Sequence, residues 1–339
     1  MTEALKFLDI QHFALSCGAE ISLRLSYQTF GCALGSAPVI MVNHALTGHS
    51  NVSGEHGWWS KLIGDAKTIN TTQFTVICIN TPGNGYGNYQ ESFAENYKCF
   101  TAKDIALIFL EALNVLSISK LYALIGGSVG GGIAWEMLAV KPELAKHFIP
   151  IATDWKATDW LIANCHIQDS ILNNSKDPLV DARLHAMTLY RTPESFKSKF
   201  HRAHQNDDLY SVESWLNHHG KTLSKRFKLA SYKIMNQILR TVDITKDGES
   251  FIDIGSRITA TIHIVTIPSD LFFKSEENWD TYLDLKTVKD NVFIHEIKSI
   301  HGHDAFLIEY QQLNTILKPI FQSEYYKYET DKPHYIRNR

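Results

Sequence analysis

The chain alternates between short, continuous apolar runs and longer segments with other patterns. Such runs occupy residues 38–42, 74–79, 121–125, 147–152, 262–267 and 292–297. Apolar runs of this length, separated by helical patterns, are typical of parallel strands that are buried on both faces. Before them, residues 21–27 alternate apolar and polar side chains, as a half-buried strand does. We therefore predict antiparallel β-structure in the first forty residues and a parallel sheet after it.

Helical periodicity is clearest between the second and third apolar runs. Apolar residues recur there at the spacing of one helix face: Ile105, Ile108, Phe109, Ala112 and Leu116. Thr101 and Asp104 precede them in the pattern of a capping box, which predicts where the helix begins. Strands that alternate with helices predict the α/β class, with a mostly parallel central sheet flanked by helices.

One long segment breaks this alternation. Residues 155–247 are polar, rich in His, Lys and Arg, and without strong strand signals. We predict several helices there, forming a helical lid inserted between two strands of the sheet. The remaining organisation is then a core of residues 1–154 and 248–325, followed by a mostly polar C-terminal tail of residues 326–339.

Composition narrows the possible partners and compartment. The net charge of -3 gives no electrostatic reason to expect nucleic acid or an anionic membrane as a partner. No apolar run approaches the roughly 18 residues of a membrane span, and the charged N-terminus does not read as a signal peptide. The five cysteines are far apart and odd in number, which favours free thiols over disulfides or a zinc site. We predict a cytoplasmic protein with no bound metal.

The strongest chemical signal is Gly126-Gly127-Ser128-Val129-Gly130, which matches G-x-S-x-G. It follows an apolar strand and precedes a helical stretch, the context of a nucleophile elbow in the α/β-hydrolase fold. The serine lies on a tight strand-to-helix turn, and the helix N-terminus offers N–H groups to a developing oxyanion. A glycine-rich packing turn is the alternative; a phosphate-binding loop would need a different spacing. The motif predicts Ser128 as a nucleophile.

The partners of such a serine follow it along the chain in the order acid, then histidine. Asp270 comes directly after the predicted strand 262–267, and His303 comes shortly after strand 292–297. Both positions are at strand C-terminal ends, where open α/β sheets build their sites. Alone, Asp270 could equally be a helix N-cap, and His301 competes with His303. The combination predicts a Ser128–His303–Asp270 triad.

An oxyanion hole needs a second backbone donor from the loop after an early strand. The segment from Asn43 to Gly48 follows the strand at 38–42, so the N–H groups of Leu46 and Val129 are the predicted donors. A plain turn is the alternative interpretation of this loop. His44 is more easily explained as a structural residue than as a catalytic one.

Taken together, these residues resemble the homoserine O-acetyltransferases, which are acyl-CoA-dependent enzymes of the α/β-hydrolase fold. The matching motifs run over most of the chain: His44-Ala45-Leu46-Thr47-Gly48, Gly57-Trp58-Trp59, Leu62-Ile63-Gly64, Gly126-Gly127-Ser128-Val129-Gly130-Gly131, Pro150-Ile151-Ala152-Thr153 and Gly302-His303-Asp304-Ala305-Phe306-Leu307. The first and last are specific to the family rather than to the fold, and the last selects His303 over His301. The family usually has Met where this chain has Val129.

The resemblance also implies an amino-acid pocket. In this family an Arg of the lid and the Asp after the triad His hold the substrate, and these carry over to Arg226 and Asp304. A guanidinium suits an α-carboxylate and a carboxylate suits an α-ammonium. Arg226 is followed by Phe227. After this pair, the chain has Lys228 and Ala230 where the family typically has Asp and Asn. The resemblance further implies a homodimer formed through the lid.

The expected function is therefore acyl transfer from acetyl-CoA, or another acyl-CoA, to L-homoserine in methionine biosynthesis. No tightly bound cofactor is expected, because the acyl-CoA is a co-substrate. Alternatives are a serine or homoserine O-succinyltransferase, an esterase or thioesterase with the same triad, and a catalytically silent binding protein. The triad alone does not separate a transferase from a hydrolase.

Overall fold

The computed structural model describes residues 4–87 and 96–322. The strands in these ranges are β1 (Lys6–Ala14), β2 (Glu20–Gly31), β3 (Val39–Asn43), β4 (Ile63–Gly64), β5 (Ile69–Asn70), β6 (Thr75–Ile79), β7 (Leu121–Gly127), β8 (Ala145–Ile151), β9 (His204–Asn206), β10 (Leu209–Tyr210), β11 (Thr261–Thr266) and β12 (Val292–Glu296). Each of the seven strands predicted from the hydrophobic pattern has a counterpart among them.

The helices of the described residues are α1 (Ala102–Val115), α2 (Val129–Val140), α3 (Asp159–Asn174), α4 (Pro178–Tyr190), α5 (Pro193–Phe200), α6 (Ser211–Arg226), α7 (Leu229–Arg240), α8 (Phe251–Arg257), α9 (Ser275–Lys286) and α10 (Tyr310–Gln322). Two short 3₁₀ helices, Tyr97–Cys99 and Gly302–Leu307, join them. The predicted capping box is present at the start of α1, where Thr101 and Asp104 each accept the other's backbone N–H.

Within the described residues, one sheet carries eight strands in the order β1-β2-β6-β3-β7-β8-β11-β12. Strands β1, β2 and β6 pair antiparallel, and every pairing from β6 to β12 is parallel. The mostly parallel α/β sheet predicted from the sequence is thereby confirmed. Because parallel strands share their direction, the loops after β3, β7, β11 and β12 all emerge at one edge.

Helices cover both faces of this sheet, which explains why its central strands are apolar throughout. Alternate residues of β6 point to opposite sides: Ile77 packs against α1 and α2, whereas Cys78 faces the layer that contains Trp59 and α10. All five residues of β3 and of β6 are buried. A strand buried on both faces carries no polar alternation, so continuous apolar runs were the signal to expect.

The segment between β8 and α8 is mainly helical, as the sequence indicates. It also contains a two-stranded sheet of β9 and β10, whose short polar strands give no hydrophobic alternation to read. The two ends of the segment meet, because Ala157 N–H donates to the Val242 carbonyl at 2.7 Å and Ile244 N–H to the Trp155 carbonyl at 3.3 Å. The segment therefore leaves and rejoins the rest of the chain at one place, and its role as a lid stays a prediction. The predicted tail, residues 326–339, lies outside the described residues.

Two absences can be stated for the described ranges. Of the helices there, none combines the length and apolarity that crossing a membrane requires. In the same ranges, no three His, Cys, Asp or Glu side chains are grouped so that they could hold a metal ion.

Candidate active site

The sharp turn between β7 and α2 is built around Ser128. Its backbone has φ 56° and ψ −131°, a conformation that an L residue adopts only under strain. The turn also requires glycines on both sides. A Cβ on Gly126 would lie 2.3 Å from the Gly130 carbonyl oxygen, and a Cβ on Gly130 would lie 2.4 Å from that of Asn43. The G-x-S-x-G motif therefore forms a nucleophile elbow in its expected strand-turn-helix context.

Three side chains predicted to act together form a hydrogen-bonded chain with His303 in the middle. The Ser128 Oγ atom is 2.9 Å from His303 Nε2, and His303 Nδ1 is 2.7 Å from Asp270 Oδ2. Because a carboxylate only accepts, Nδ1 carries the imidazole proton and Nε2 is left to accept from the serine hydroxyl. This is the geometry that general-base activation of a serine requires.

The loop after β11 fixes the carboxylate. Asp270 is fully buried, and its Oδ1 accepts the backbone N–H groups of Phe272 at 2.7 Å and Phe273 at 3.0 Å. The other oxygen is thereby directed at His303. The helix that follows has Lys274 as its N-cap, so the alternative interpretation of Asp270 as a helix N-cap is wrong, although its Oδ1 does accept backbone N–H groups of the turn.

Aromatic rings enclose the imidazole. The ring centroids of Tyr190, Phe272, Phe273 and Phe306 lie 5.3 to 5.6 Å from that of His303, which is 4% exposed. Their packing restricts the ring's orientation and excludes water from the Ser128–His303 contact, which strengthens electrostatic interactions there.

His301 lies away from the nucleophile. Its Nδ1 accepts from the Arg191 guanidinium at 2.9 Å and lies 3.3 Å from Ser195 Oγ. Arg191 also lies 3.8 Å from an oxygen of Asp304, so this arginine connects His301 with the residue that follows His303. Arg191 could not be identified from the sequence, because it is one of many basic residues in the segment.

The two predicted oxyanion donors lie on neighbouring loops. The Asn43 side-chain amide donates to the Gly130 carbonyl at 3.2 Å and so ties the loop after β3 to the elbow. Among the hydrogen bonds of the described residues, none has the N–H of Leu46 or Val129 as its donor. Both amides thus remain available for an oxyanion, and their role stays a prediction.

His44 supports the same loop. Its Nε2 accepts the Thr81 N–H at 3.0 Å, and its Nδ1 donates to the Ala45 carbonyl at 2.8 Å. Burial lowers the pKa of His44 to about 4, so the ring is neutral near pH 7 and both contacts persist. These bonds give His44 a structural explanation.

Arg226 and Asp304 border the site from two directions. Arg226 ends α6, and its guanidinium donates to the Thr47 carbonyl, one residue after Leu46, at 3.0 Å. Asp304 directly follows His303, and burial raises the pKa of its carboxyl against the positive charges of Arg183, His303 and Arg191. The arrangement brings a cation beside the oxyanion loop and a carboxyl beside the triad histidine.

Comparison with known proteins first establishes the fold class of this protein. A family model described as alpha/beta hydrolase fold matches residues 38–233, more than half of the chain. Two solved structures share this fold at a low identity: the homoserine O-acetyltransferase of Bacillus anthracis (TM-score 0.85, 19% identity, 95% of this chain and 98% of that one) and esterase E22 (TM-score 0.86, 17% identity, 94% of this chain and 100% of that one). The protein is therefore an α/β-hydrolase-fold protein.

Comparison with curated relatives identifies the family more specifically than the fold does. The chain is 32% identical over 333 residues to the homoserine O-acetyltransferase of Methanococcus vannielii, covering 87% of this chain and 68% of that protein. It is 31% identical to that of Cyclobacterium marinum, covering 84% of each. The chain belongs to the homoserine O-acetyltransferase family, and the resemblance read from its motifs is confirmed.

Proposed function

We propose that the protein transfers an acetyl group from acetyl-CoA to the hydroxyl of L-homoserine by a ping-pong mechanism, as a step of methionine biosynthesis. The observation that carries the proposal is the pairing of a hydrogen-bonded Ser-His-Asp set with opposite charges at Arg226 and Asp304. The first set supplies the acyl chemistry, and the second suits a zwitterionic amino acid. Family membership supports the choice of substrates.

In the first half-reaction, Ser128 Oγ attacks the thioester carbonyl carbon while His303 Nε2 takes the hydroxyl proton. Asp270 holds the tautomer and stabilises the imidazolium that results. The N–H groups of Leu46 and Val129 bind the oxyanion of the tetrahedral intermediate, each contributing about 3 kcal/mol. The C–S bond then breaks, His303 returns the proton to the thiolate, and CoA leaves the acyl-serine behind.

In the second half-reaction, the acceptor hydroxyl takes the place of CoA. Arg226 binds the α-carboxylate and Asp304 the α-ammonium, which orients the hydroxyl toward the acyl carbon. His303 removes the hydroxyl proton as the C–O bond forms. Collapse of the second intermediate breaks the bond to Ser128 Oγ, and His303 returns the proton to the serine.

Water competes with the acceptor at this stage, and the lid determines the outcome. The aromatic rings around His303 and the helices of residues 155–247 enclose the acyl-serine, which favours a bound, oriented hydroxyl over a mobile water. An esterase or thioesterase would need no charged pair at Arg226 and Asp304. Transfer to serine, or from succinyl-CoA, uses the same catalytic groups.

We further propose a cytoplasmic homodimer that forms through the lid. Free thiols support the compartment, because all five cysteines of the described residues are unpaired. The acyl-CoA acts as a co-substrate, with no tightly bound cofactor required by the mechanism.

Acylation of Ser128 tests the first half-reaction directly. Protein mixed with acetyl-CoA alone should gain the mass of one acetyl group, and Ser128→Ala should not, because the nucleophile is missing. An adduct that persists in Ser128→Ala would refute the assignment.

The same sample then separates the candidate reactions. CoA release is measured with acetyl-CoA and succinyl-CoA, each with homoserine, serine or water. We expect the fastest release with acetyl-CoA and homoserine. Release that is equally fast with water alone would identify a hydrolase.

A further inference from the structure

Arg183 is a guanidinium that the proposed mechanism does not use. It lies on α4, whose last residue is Tyr190, and its Cζ atom is 5.4 Å from the centroid of the Tyr190 ring. That ring is in turn 5.5 Å from the ring of His303. The half-buried Arg183 side chain therefore extends toward the end of α4 that contacts the triad.

This guanidinium makes no direct contact with a carboxylate among the described residues. Arg191, on the same side of the site, is bonded to His301 and Ser195 and lies 3.8 Å from Asp304. Arg183, in contrast, makes no ion pair or side-chain hydrogen bond in those parts of the chain. The guanidinium lies near the Tyr190 ring, and its charge acts on the Asp304 carboxyl through space, so an anionic ligand would add the direct charge-assisted contact that it lacks.

The positive charge of Arg183 affects the pKa of both residues of the proposed acceptor site, Arg226 and Asp304. Partial burial lowers the pKa of Arg226, and the positive charge of Arg183 lowers it further. The same charge opposes the effect of burial on the carboxyl of Asp304. The positive charges of the two guanidinium groups repel each other, and an anion bound by both would offset that repulsion.

We propose that Arg183 is a specificity-determining residue of the acceptor site, where it binds the α-carboxylate together with Arg226 while Asp304 binds the ammonium. The contact with the Tyr190 ring holds the guanidinium in place before the acceptor arrives, which reduces the entropy lost on binding. The inference rests on the proposed function. It adds that the enzyme selects acceptors with a free α-carboxylate through two arginines.

The test compares Arg183→Gln, Arg183→Lys and wild type in both half-reactions. With homoserine, Arg183→Gln should lose roughly tenfold to a hundredfold in kcat/KM, mainly through a raised KM, because a charge-assisted contact is removed. Arg183→Lys should recover part of this, since it keeps the charge without the fork geometry. The loss should be confined to the second half-reaction. Arg240→Gln, an exposed arginine of α7, is the matched control and should change KM less than twofold.

A second acceptor separates carboxylate binding from a structural effect. 3-Aminopropan-1-ol has the hydroxyl and ammonium of homoserine but lacks the carboxylate, so Arg183→Gln should reduce transfer to it less than threefold. An equal loss with both acceptors would overturn the proposal and give Arg183 a structural role. If Arg183→Gln does not fold, the same comparison is made with Arg183→Lys.

Three further outcomes are also decisive. Slower acylation of Arg183→Gln by succinyl-CoA, with acetyl-CoA unaffected, would overturn the proposal and assign Arg183 to a carboxylate on the acyl group. Wild-type protein that forms the acyl-enzyme but transfers to no amino acid would refute the proposed function and this inference together. Wild-type transfer with an unchanged Arg183→Gln would refute this inference alone.

Discussion

At the scale of single residues, the position of the imidazole depends on what surrounds it rather than on the serine alone. The Asp270 carboxylate fixes the proton on Nδ1, and four aromatic rings fix the plane of His303. His301, only two residues away, faces Arg191 instead. His301 and His303 therefore lie in different environments, although they belong to one loop.

This difference predicts how each histidine responds to substitution. His303→Ala should reduce acyl-enzyme formation by at least about 10³-fold, because the base that activates Ser128 is lost. His301→Ala should leave acyl-enzyme formation within about threefold of wild type and raise KM for the acceptor modestly, through the loosened Arg191. Rapid-quench mass spectrometry with acetyl-CoA measures the first quantity. The opposite ranking would mean that the wrong histidine has been assigned.

The sequence predicts residues of this site to different degrees. Ser128, Asp270 and His303 could be chosen because a motif and a fixed chain order identify them, and the structure brings the three together. Arg183 and Arg191 could not be chosen, since the segment carries many basic residues. Which of them faces the site depends on how α4 packs against the core, and that rotation has no local signal.

At the scale of elements, the strands follow from burial. Strands β3, β6 and β7 lie inside a two-faced layer, so their apolar runs alone locate them to within about two residues. The short strands β4, β5, β9 and β10 could not be predicted, because two or three residues carry no period. Their existence depends on pairing partners that only the folded chain supplies.

The junction between β8 and α9 contains a buried acid that predicts a pH effect. Asp154 follows β8, and its carboxylate accepts from Trp155 N–H at 2.7 Å and from Thr281 of α9 at 3.1 Å. Burial raises its pKa from 3.8 to about 7. Between those pH values the folded protein holds a proton that the unfolded chain has released, so this residue's contribution to stability is lost as pH rises through the window.

Asp154→Asn removes this titration while keeping the shape of the side chain. The free energy of unfolding of the variant, relative to wild type, should therefore rise between about pH 4 and pH 7, by an amount on the order of a few kcal/mol. Urea unfolding at several pH values measures it. The control is Asp280→Asn on α9, which is exposed and should give a difference that is flat with pH. A flat profile for Asp154→Asn would show that the carboxyl is already ionised when folded.

At the scale of the whole molecule, the proposed site joins two parts of the chain. The core contributes Ser128, Asp270 and His303, whereas the segment between β8 and α8 contributes Arg226 and Arg183. That segment leaves and rejoins the core at one place, where Lys156 pairs with Asp243. A site completed by such an insertion allows the acceptor pocket to vary while the acyl chemistry stays unchanged.

The same segment carries the surface through which we expect the homodimer to form. On α3, Trp160 is 49% exposed and Ile167 is 44% exposed, and residues seven apart lie on one helix face. Trp160 Nε1 also donates to the Leu271 carbonyl, which ties this face to the loop that holds Asp270. Exposed apolar side chains on one face favour a contact with a second copy.

Ile167→Glu should therefore convert a dimer into a monomer at micromolar concentration in sedimentation velocity, because a buried, unpaired charge opposes the contact. Leu283→Glu, at a site 57% exposed on α9 of the core, is the matched control and should remain dimeric. Monomeric wild-type protein would rule out the dimer, and a dimer broken by Leu283→Glu but not by Ile167→Glu would place the interface on α9 rather than on α3.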